Sequence, residues 1–134
     1  MSRMPLYTES IPMADRDLRH QLLLDALDTR VLCLDGAMGT MLQQKGMMPG
    51  QCPELFGIEH PEVLQEIHQQ YAEAGAEIIE TNTFGANRFK LAEYGLEDRV
   101  EEINAEAVRL ARAAAKNKAL VAGCIGPTGR LLRP

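Results

Sequence analysis

Tryptophan is absent from this sequence of 134 residues, and aromatic residues make up only 4% of it. A surface that stacks nucleic-acid bases needs such rings, so the composition argues against one. Basic residues are also scarce, because 14 Lys and Arg stand against 19 Asp and Glu, giving a formal net charge of -5. Nucleic acids and anionic membranes bind a concentrated basic face, so neither is an expected partner.

Cysteines and long apolar runs are equally few. Cys33, Cys52 and Cys124 are an odd number at wide spacing, which argues against a disulfide framework and for a reducing compartment. No apolar run reaches the roughly 18–20 residues that cross a bilayer, and residues 1–14 lack the pattern of a secretory signal. We therefore expect a cytoplasmic protein with no membrane partner. In it, residues 1–14 form a mobile leader and residues 15–134 one folded unit.

The apolar pattern from residue 15 onward alternates between strand-like and helical spacing. Three short apolar runs predict buried strands at 30–34, 76–80 and 119–122. Amphipathic helices are predicted before and between them, one starting near Asp15, one running from Pro61 to a cap at Gly75, and one capped by Asp98 with Glu101. Strands that alternate with helices form a parallel sheet, so the predicted fold class is α/β.

The spacing of the strands indicates a larger architecture. The strand starts lie about 40–47 residues apart, so eight such units need about 320–380 residues, which is the size range of a (β/α)8 barrel. Three parallel strands alone would leave two open sheet edges. We therefore predict the first three β/α units of a (β/α)8 TIM-type barrel, incomplete in this chain.

Each predicted strand ends in a segment rich in glycine and small polar residues: 35–40 (DGAMGT), 80–85 (ETNTFG) and 123–129 (GCIGPTG). Ligands of parallel sheets bind outside the carboxyl ends of the strands, where all three segments meet. A carboxylate at Asp35 can hold an ammonium group, and glycines let backbone N–H groups approach an anion. Ordinary turns, with Asp35 as a cap, and close backbone packing are the competing interpretations. The nucleotide-binding fingerprints GxGxxG and GK[ST] are absent.

The residues that commonly bind metals form no recognisable ligand set. There is no Cys-x-x-Cys pair, and His20, His60 and His68 are scattered, with His68 expected to face outward from its helix. Neither a Ser–His–Asp pattern nor a close carboxylate pair on one helix face occurs. The sequence therefore predicts a ligand-binding surface without a metal site or an assigned catalytic residue of its own.

Three segments in order, 32–40 (LCLDGAMGT), 80–87 (ETNTFGAN) and 123–129 (GCIGPTG), resemble the start of the homocysteine S-methyltransferase domain. The linking stretches 52–57 (CPELFG) and 61–64 (PEVL) are similar to that family too. Within the family, the resemblance is greatest to the cobalamin-dependent methionine synthases, and it covers roughly residues 18–134.

The resemblance implies a (β/α)8 barrel that binds homocysteine, with zinc on three cysteines activating the thiol for methylation to methionine. It places the ammonium group at Asp35, the carboxylate at the N–H groups of Gly36 and Ala37 with Thr81, and Asn82 and Thr83 nearby. The zinc ligands of the family lie in the distal part of the barrel, so they are expected beyond this chain. Cobalamin and methyltetrahydrofolate are expected on other domains of the longer protein, and the 134 residues alone are expected to be inactive.

Two other functions remain open at the level of the sequence. A cobalamin-independent homocysteine methyltransferase, with betaine or S-methylmethionine as donor, would keep the same barrel and the same amino-acid site. A non-catalytic binding or assembly module, completed by a partner chain at its open sheet edge, belongs to a different class.

Overall fold

The structure is a computed structural model that describes residues 16–116 and 118–131; the leader expected at 1–14 lies outside the described residues. Two short 3₁₀ turns, Ala92–Tyr94 and Glu97–Arg99, precede the last helix. In chain order the remaining elements are α1 (Arg16–Thr29), α2 (Gly39–Gln44), α3 (Pro53–Glu59), α4 (Pro61–Ala74), β1 (Ile78–Glu80), α5 (Arg88–Leu91), α6 (Val100–Ala115) and β2 (Leu120–Ala122). The described residues therefore have a mixed α/β fold, as predicted, and α3 is a helix that the sequence pattern did not reveal.

Two of the three predicted strands are confirmed. β1 and β2 are parallel and directly hydrogen-bonded, with Ile78 opposite Leu120 and Glu80 opposite Ala122. The prediction of a first strand over 30–34 is wrong, because that segment contributes only a single parallel bridge between Leu34 and Ile78. The segment nevertheless lies beside β1, so three chain segments run parallel in the order 34, β1, β2.

The hydrogen bonds of the first segment explain why it is not a strand. The carbonyl of Cys33 accepts from the N–H groups of Glu77 and Ile78, and the Asp35 N–H donates to the Ile78 carbonyl at 3.0 Å. Residues 30–32 form no such ladder within the described chain, and Val31 is 92% exposed. A run of residues forms a strand only where its backbone groups continue a hydrogen-bonded ladder, and in the described chain the bonds to β1 and its flank begin only at Cys33.

Helices α4 and α6 cover one face of the sheet. The core between them contains Ile79 of β1 and a set of alanines, with Tyr71 and Val121 packed against it: Ala72, Ala76, Ala111, Ala115 and Ala119. Small side chains let helices approach a sheet closely. Because side chains alternate along a strand, Ile79 faces these helices while Glu80 points to the opposite face. The last residue of β1 is thus placed on the face that the helices leave open.

The helix ends follow the predicted signals with one exception. Pro61 opens α4, and Gly75 ends it with a φ of 106°, a backbone conformation that suits glycine. The capping pair of Asp98 and Glu101 is a wrong prediction, because Asp98 lies inside a 3₁₀ turn and α6 starts at Val100 without a side-chain cap bond among the described residues. A capping residue needs an extended backbone, which a residue within a helical turn does not have.

His68 corrects a second prediction. It was expected to face outward from α4, but its side chain is fully buried, on the same helix face as Leu64 and Ala72. Neither ring nitrogen has a hydrogen-bond partner within the described structure. Burial lowers the pKa of His68 from 6.5 to about 4, because the charged ring loses its hydration. A neutral histidine therefore occupies an apolar position of the core.

None of the helices in the ranges 16–116 and 118–131 combines the length and the apolar character that a bilayer crossing needs.

Candidate functional site

A pocket of about 310 Å³ opens at the carboxyl ends of β1 and β2, beside the turn that follows Leu34. It is the place where the three predicted strand-end segments meet. The lining residues are Asp35, Gly36, Met38, Gly39, Pro53, Glu54, Glu80, Thr81, Asn82, Phe84 and Cys124. Of the six sequence-predicted site residues, Asp35, Gly36, Thr81 and Asn82 are in this lining, whereas Ala37 and Thr83 are not.

Asp35 is held at the mouth of the pocket by the neighbouring strand. One of its carboxylate oxygens, Oδ1, accepts from the Glu80 N–H at 3.0 Å. Partial burial is the main reason why the pKa of Asp35 rises from its usual 3.8 to about 6, and the nearby Glu80 carboxylate adds to the rise. The group is therefore largely ionised at neutral pH, yet its charge is poorly solvated. Such a carboxylate favours a cationic ligand.

The turn after Asp35 presents backbone donors. The N–H groups of Gly36 and Ala37 donate to no acceptor in the described part of the chain. The Tyr71 hydroxyl donates to the Ala37 carbonyl at 2.9 Å, which fixes the orientation of this peptide. A Cβ on Gly36 would come 3.3 Å from that hydroxyl oxygen, so the close approach of Tyr71 favours glycine here. The turn thus carries free N–H groups, and the Tyr71 hydroxyl orients the peptide that follows them.

Thr81, Thr83 and Cys124 form a closed ring of hydrogen bonds between the ends of β1 and β2. The Thr83 hydroxyl donates to the Cys124 carbonyl at 2.7 Å, and the Cys124 N–H donates to Thr81 Oγ1 at 3.1 Å. The two threonine oxygens are 2.6 Å apart. Because a hydroxyl has one proton and Thr83 has already used its own, Thr81 is the donor in that contact. Thr83 therefore ties the two strand ends together from behind the pocket.

Residues of helix α3 form hydrogen bonds with the loop that follows β1. The side-chain amide nitrogen of Asn82 donates to the Pro53 carbonyl at 2.9 Å, and the Gly85 N–H donates to Glu54 Oε1 at 2.6 Å. The second oxygen of Glu54 accepts from the Cys52 thiol at 3.3 Å. A Cβ on Gly85 would lie 2.8 Å from Glu54 Oε1, so this contact favours glycine unless the Glu54 carboxylate moves.

Sequence reasoning missed three titratable residues of the lining. Glu80 and Cys124 stood within the strand-end motifs but received no role. Glu54 received none either, although CPELFG was noted, and the burial of this residue, which is only 6% exposed, could not be predicted from that pattern. The pKa of Cys124 is raised, chiefly by burial and then by Glu80, so its thiol stays protonated at neutral pH.

A metal site does not form from this chain's described residues. No three His, Cys, Asp or Glu side chains in 16–116 or 118–131 are grouped so that they could hold a metal ion. The three cysteines are free thiols, with Cys33 exposed and Cys52 buried. The described residues of the pocket lining therefore offer no ligand set for a metal ion.

Comparison with known proteins gives consistent results. The family model of homocysteine S-methyltransferase matches residues 32–134. The methionine synthase of Mycobacterium tuberculosis is 38% identical over 130 residues, covering 88% of this chain and 11% of the relative, and that of Mycobacterium leprae is 36% identical over 121 residues, covering 81% and 10%.

Solved structures agree with the sequence relatives. The metallated form of the homocysteine methyltransferase MmuM from Escherichia coli is similar with a TM-score of 0.62 and 32% identity, over 77% of this chain and 40% of that protein. Its oxidised form gives 0.66 and 30%, over 80% and 41%. The chain thus spans about a tenth of the curated relatives and two fifths of the solved structures. With the family model matched over most of its length, the chain belongs to the homocysteine S-methyltransferase family.

Proposed function

We propose that this chain supplies the amino-acid pocket of an enzyme that transfers a methyl group to homocysteine to form methionine. The observation that carries the proposal is the arrangement at the strand ends, where the Asp35 carboxylate lies beside the free N–H groups of Gly36 and Ala37. An amino acid carries one ammonium and one carboxylate on the same carbon atom, so it needs such adjacent acceptors and donors. The complete barrel predicted from the sequence belongs to the same proposal.

In this arrangement the residues bind and orient the substrate. Asp35 accepts from the ammonium group, and the N–H groups of Gly36 and Ala37 donate to the carboxylate. Thr81, Asn82 and Thr83 belong to the wall formed by the end of β1, with Thr83 acting through Thr81. Because the pKa of Asp35 is about 6, its charge and its hold on the ammonium group weaken in more acidic solution.

The zinc implied by the family does not fit the residues described in this chain, so its ligands are expected elsewhere in a longer protein. The same proposal includes cobalamin and methyltetrahydrofolate bound to further domains of the longer protein. It also includes a cytoplasmic location. The described pocket does not determine the methyl donor. Betaine or S-methylmethionine as the methyl donor is therefore the second candidate. Purified residues 1–134 should form no methionine from homocysteine with methylcobalamin, betaine or S-methylmethionine as the methyl donor.

The substitution Asp35→Ala in the complete protein tests the role of the pocket. A lost charge-assisted hydrogen bond is worth about 1.5–3 kcal/mol, so the Kd for homocysteine should rise about 10- to 150-fold. Isothermal titration calorimetry measures this directly. Asp28→Ala, which changes an exposed aspartate of α1, is the matched control and should leave the Kd unchanged. An unaltered Kd in Asp35→Ala would remove Asp35 from the site.

A further inference from the structure

Tyr71 of α4 is outside the pocket lining but contacts the turn that carries Gly36. Its ring is partly buried and packs against two core clusters, one around Ile79 and one around Leu42 and Ile67. A side chain held by close packing on two sides keeps a defined position. The Tyr71 hydroxyl is therefore a fixed hydrogen-bond donor that faces the turn.

Hydrogen bonds within the described chain attach this turn at two points, which flank its two free N–H groups. On one side, β1 binds both the N–H and the Oδ1 of Asp35, each at 3.0 Å. On the other side, the Ala37 carbonyl accepts from the Tyr71 hydroxyl at 2.9 Å. The N–H groups of Gly36 and Ala37 belong to the peptides between these two attachments.

Loss of the Tyr71 hydroxyl would leave the turn hydrogen-bonded at Asp35 alone. Gly36 has no Cβ to restrict its backbone, so the free turn would then sample more conformations. A ligand that uses both N–H groups would have to order them as it binds, and this lowers its affinity. A ligand that uses only the Asp35 carboxylate would be unaffected, because β1 still holds that residue.

We propose that Tyr71 is a positioning residue, whose hydroxyl orders the N–H groups of Gly36 and Ala37 before a carboxylate binds to them. This inference rests on the proposed function, since it concerns how the same pocket holds its substrate. Tyr71 acts through the turn and not by contact with the substrate. The packing of α4 in the core thus contributes to the affinity for ligands that carry a carboxylate.

The substitution Tyr71→Phe removes the hydroxyl and keeps the ring in the core. The test compares homocysteine with 3-mercaptopropylamine, which keeps the thiol and the amine and lacks only the carboxylate. Both are titrated calorimetrically into the complete protein and into the variant. The Kd for homocysteine should rise about 2- to 10-fold, as expected for one neutral hydrogen bond, and the Kd for 3-mercaptopropylamine should not change. Tyr94→Phe, at an exposed tyrosine, is the matched control and should change neither Kd.

A selective loss of homocysteine binding distinguishes positioning from a general loosening of the fold, which would weaken both ligands. Incorporation of 4-aminophenylalanine at position 71 replaces the hydroxyl by an amino donor and should restore the Kd for homocysteine. A parallel rise in both Kd values, an unchanged Kd for homocysteine in Tyr71→Phe, or no restoration by the amino donor overturns the role of Tyr71, while the proposed function stands. Failure of the unmodified protein to bind homocysteine refutes the proposed function and this inference with it.

Discussion

The buried His68 leads to a prediction about stability that depends on pH. Its side chain is fully buried and both ring nitrogens are unpartnered within the described structure, so replacement by leucine should fill the same space without a polar group. A buried polar group without a partner destabilises a fold by about 1–3 kcal/mol. His68→Leu should therefore raise the free energy of unfolding by about that amount at pH 7.5, where the ring is neutral in both states.

The increase in the free energy of unfolding caused by His68→Leu should become larger as the pH falls. The unfolded chain takes up a proton on His68 near pH 6.5, whereas the folded chain does so only at about 4. Between these values the unfolded state binds more protons, so the stability of the unmodified protein falls as the pH falls. The loss from this residue is about 2 kcal/mol at pH 5 and approaches about 3 kcal/mol below pH 4, at about 1.4 kcal/mol for each pH unit.

Urea unfolding followed by circular dichroism, from pH 4.5 to 8, measures both quantities. The difference between His68→Leu and the unmodified protein isolates the residue, because every other titrating group is common to both. His20→Leu is the matched control, since His20 is an exposed histidine of α1. The reasoning is refuted if the difference in stability between His68→Leu and the unmodified protein is independent of pH.

Three further substitutions test the pocket and its supports. Asp35→Asn should gain stability relative to the unmodified protein as the pH rises from about 4 to 6, because the folded state disfavours the ionised carboxylate; urea titrations at pH 4 and 7 check this. Gly85→Ala should lower the free energy of unfolding by about 1–3 kcal/mol in urea titrations, because the new Cβ would meet Glu54, and Gly123→Ala, with no neighbour within 4 Å and no positive φ, should lower it less. Thr83→Val should lower the free energy of unfolding by about 1–3 kcal/mol in the same assay, because it breaks the ring of hydroxyl hydrogen bonds. Thr83→Ser keeps the hydroxyl and should keep most of the stability.

The elements that could be predicted from the sequence are those with strong local signals. The span of α4 follows from Pro61 at its start and Gly75 at its end, and the apolar run 119–122 gave β2. The segment 30–34 has an equally apolar composition but did not form a strand, because strand formation depends on neighbours that a local pattern does not contain. His68 shows the same limit, since a polar side chain is placed by the packing of its helix face and not by its own hydropathy.

The candidate site was predictable where it coincides with glycine and carboxylate motifs at strand ends. Asp35, Gly36, Thr81 and Asn82 of the pocket lining could be identified in this way, whereas Thr83 lies outside that lining. The hydrogen bond between the Gly85 N–H and Glu54 could not be predicted, because it joins residues 31 positions apart. It also depends on helix α3, which has only seven residues and no strong periodicity. Which threonine hydroxyl donates in the ring of Thr81 and Thr83 could be assigned only from the distances between the hydrogen-bonded atoms.

The two walls of the pocket are restrained to different degrees. The end of β1 is fixed by the sheet ladder, the hydroxyl ring and the hydrogen bonds to α3, while the turn carrying Gly36 is held at Asp35 by β1 and at Ala37 by the Tyr71 hydroxyl, with the N–H groups of Gly36 and Ala37 unbonded in the described chain. A ligand that contacts both walls therefore orders the Gly36 turn when it binds, and the lost conformational entropy of the turn reduces the affinity. Hydrogen exchange should report this directly, with amides near Gly36 slowing far more than those of β1 when ligand is added.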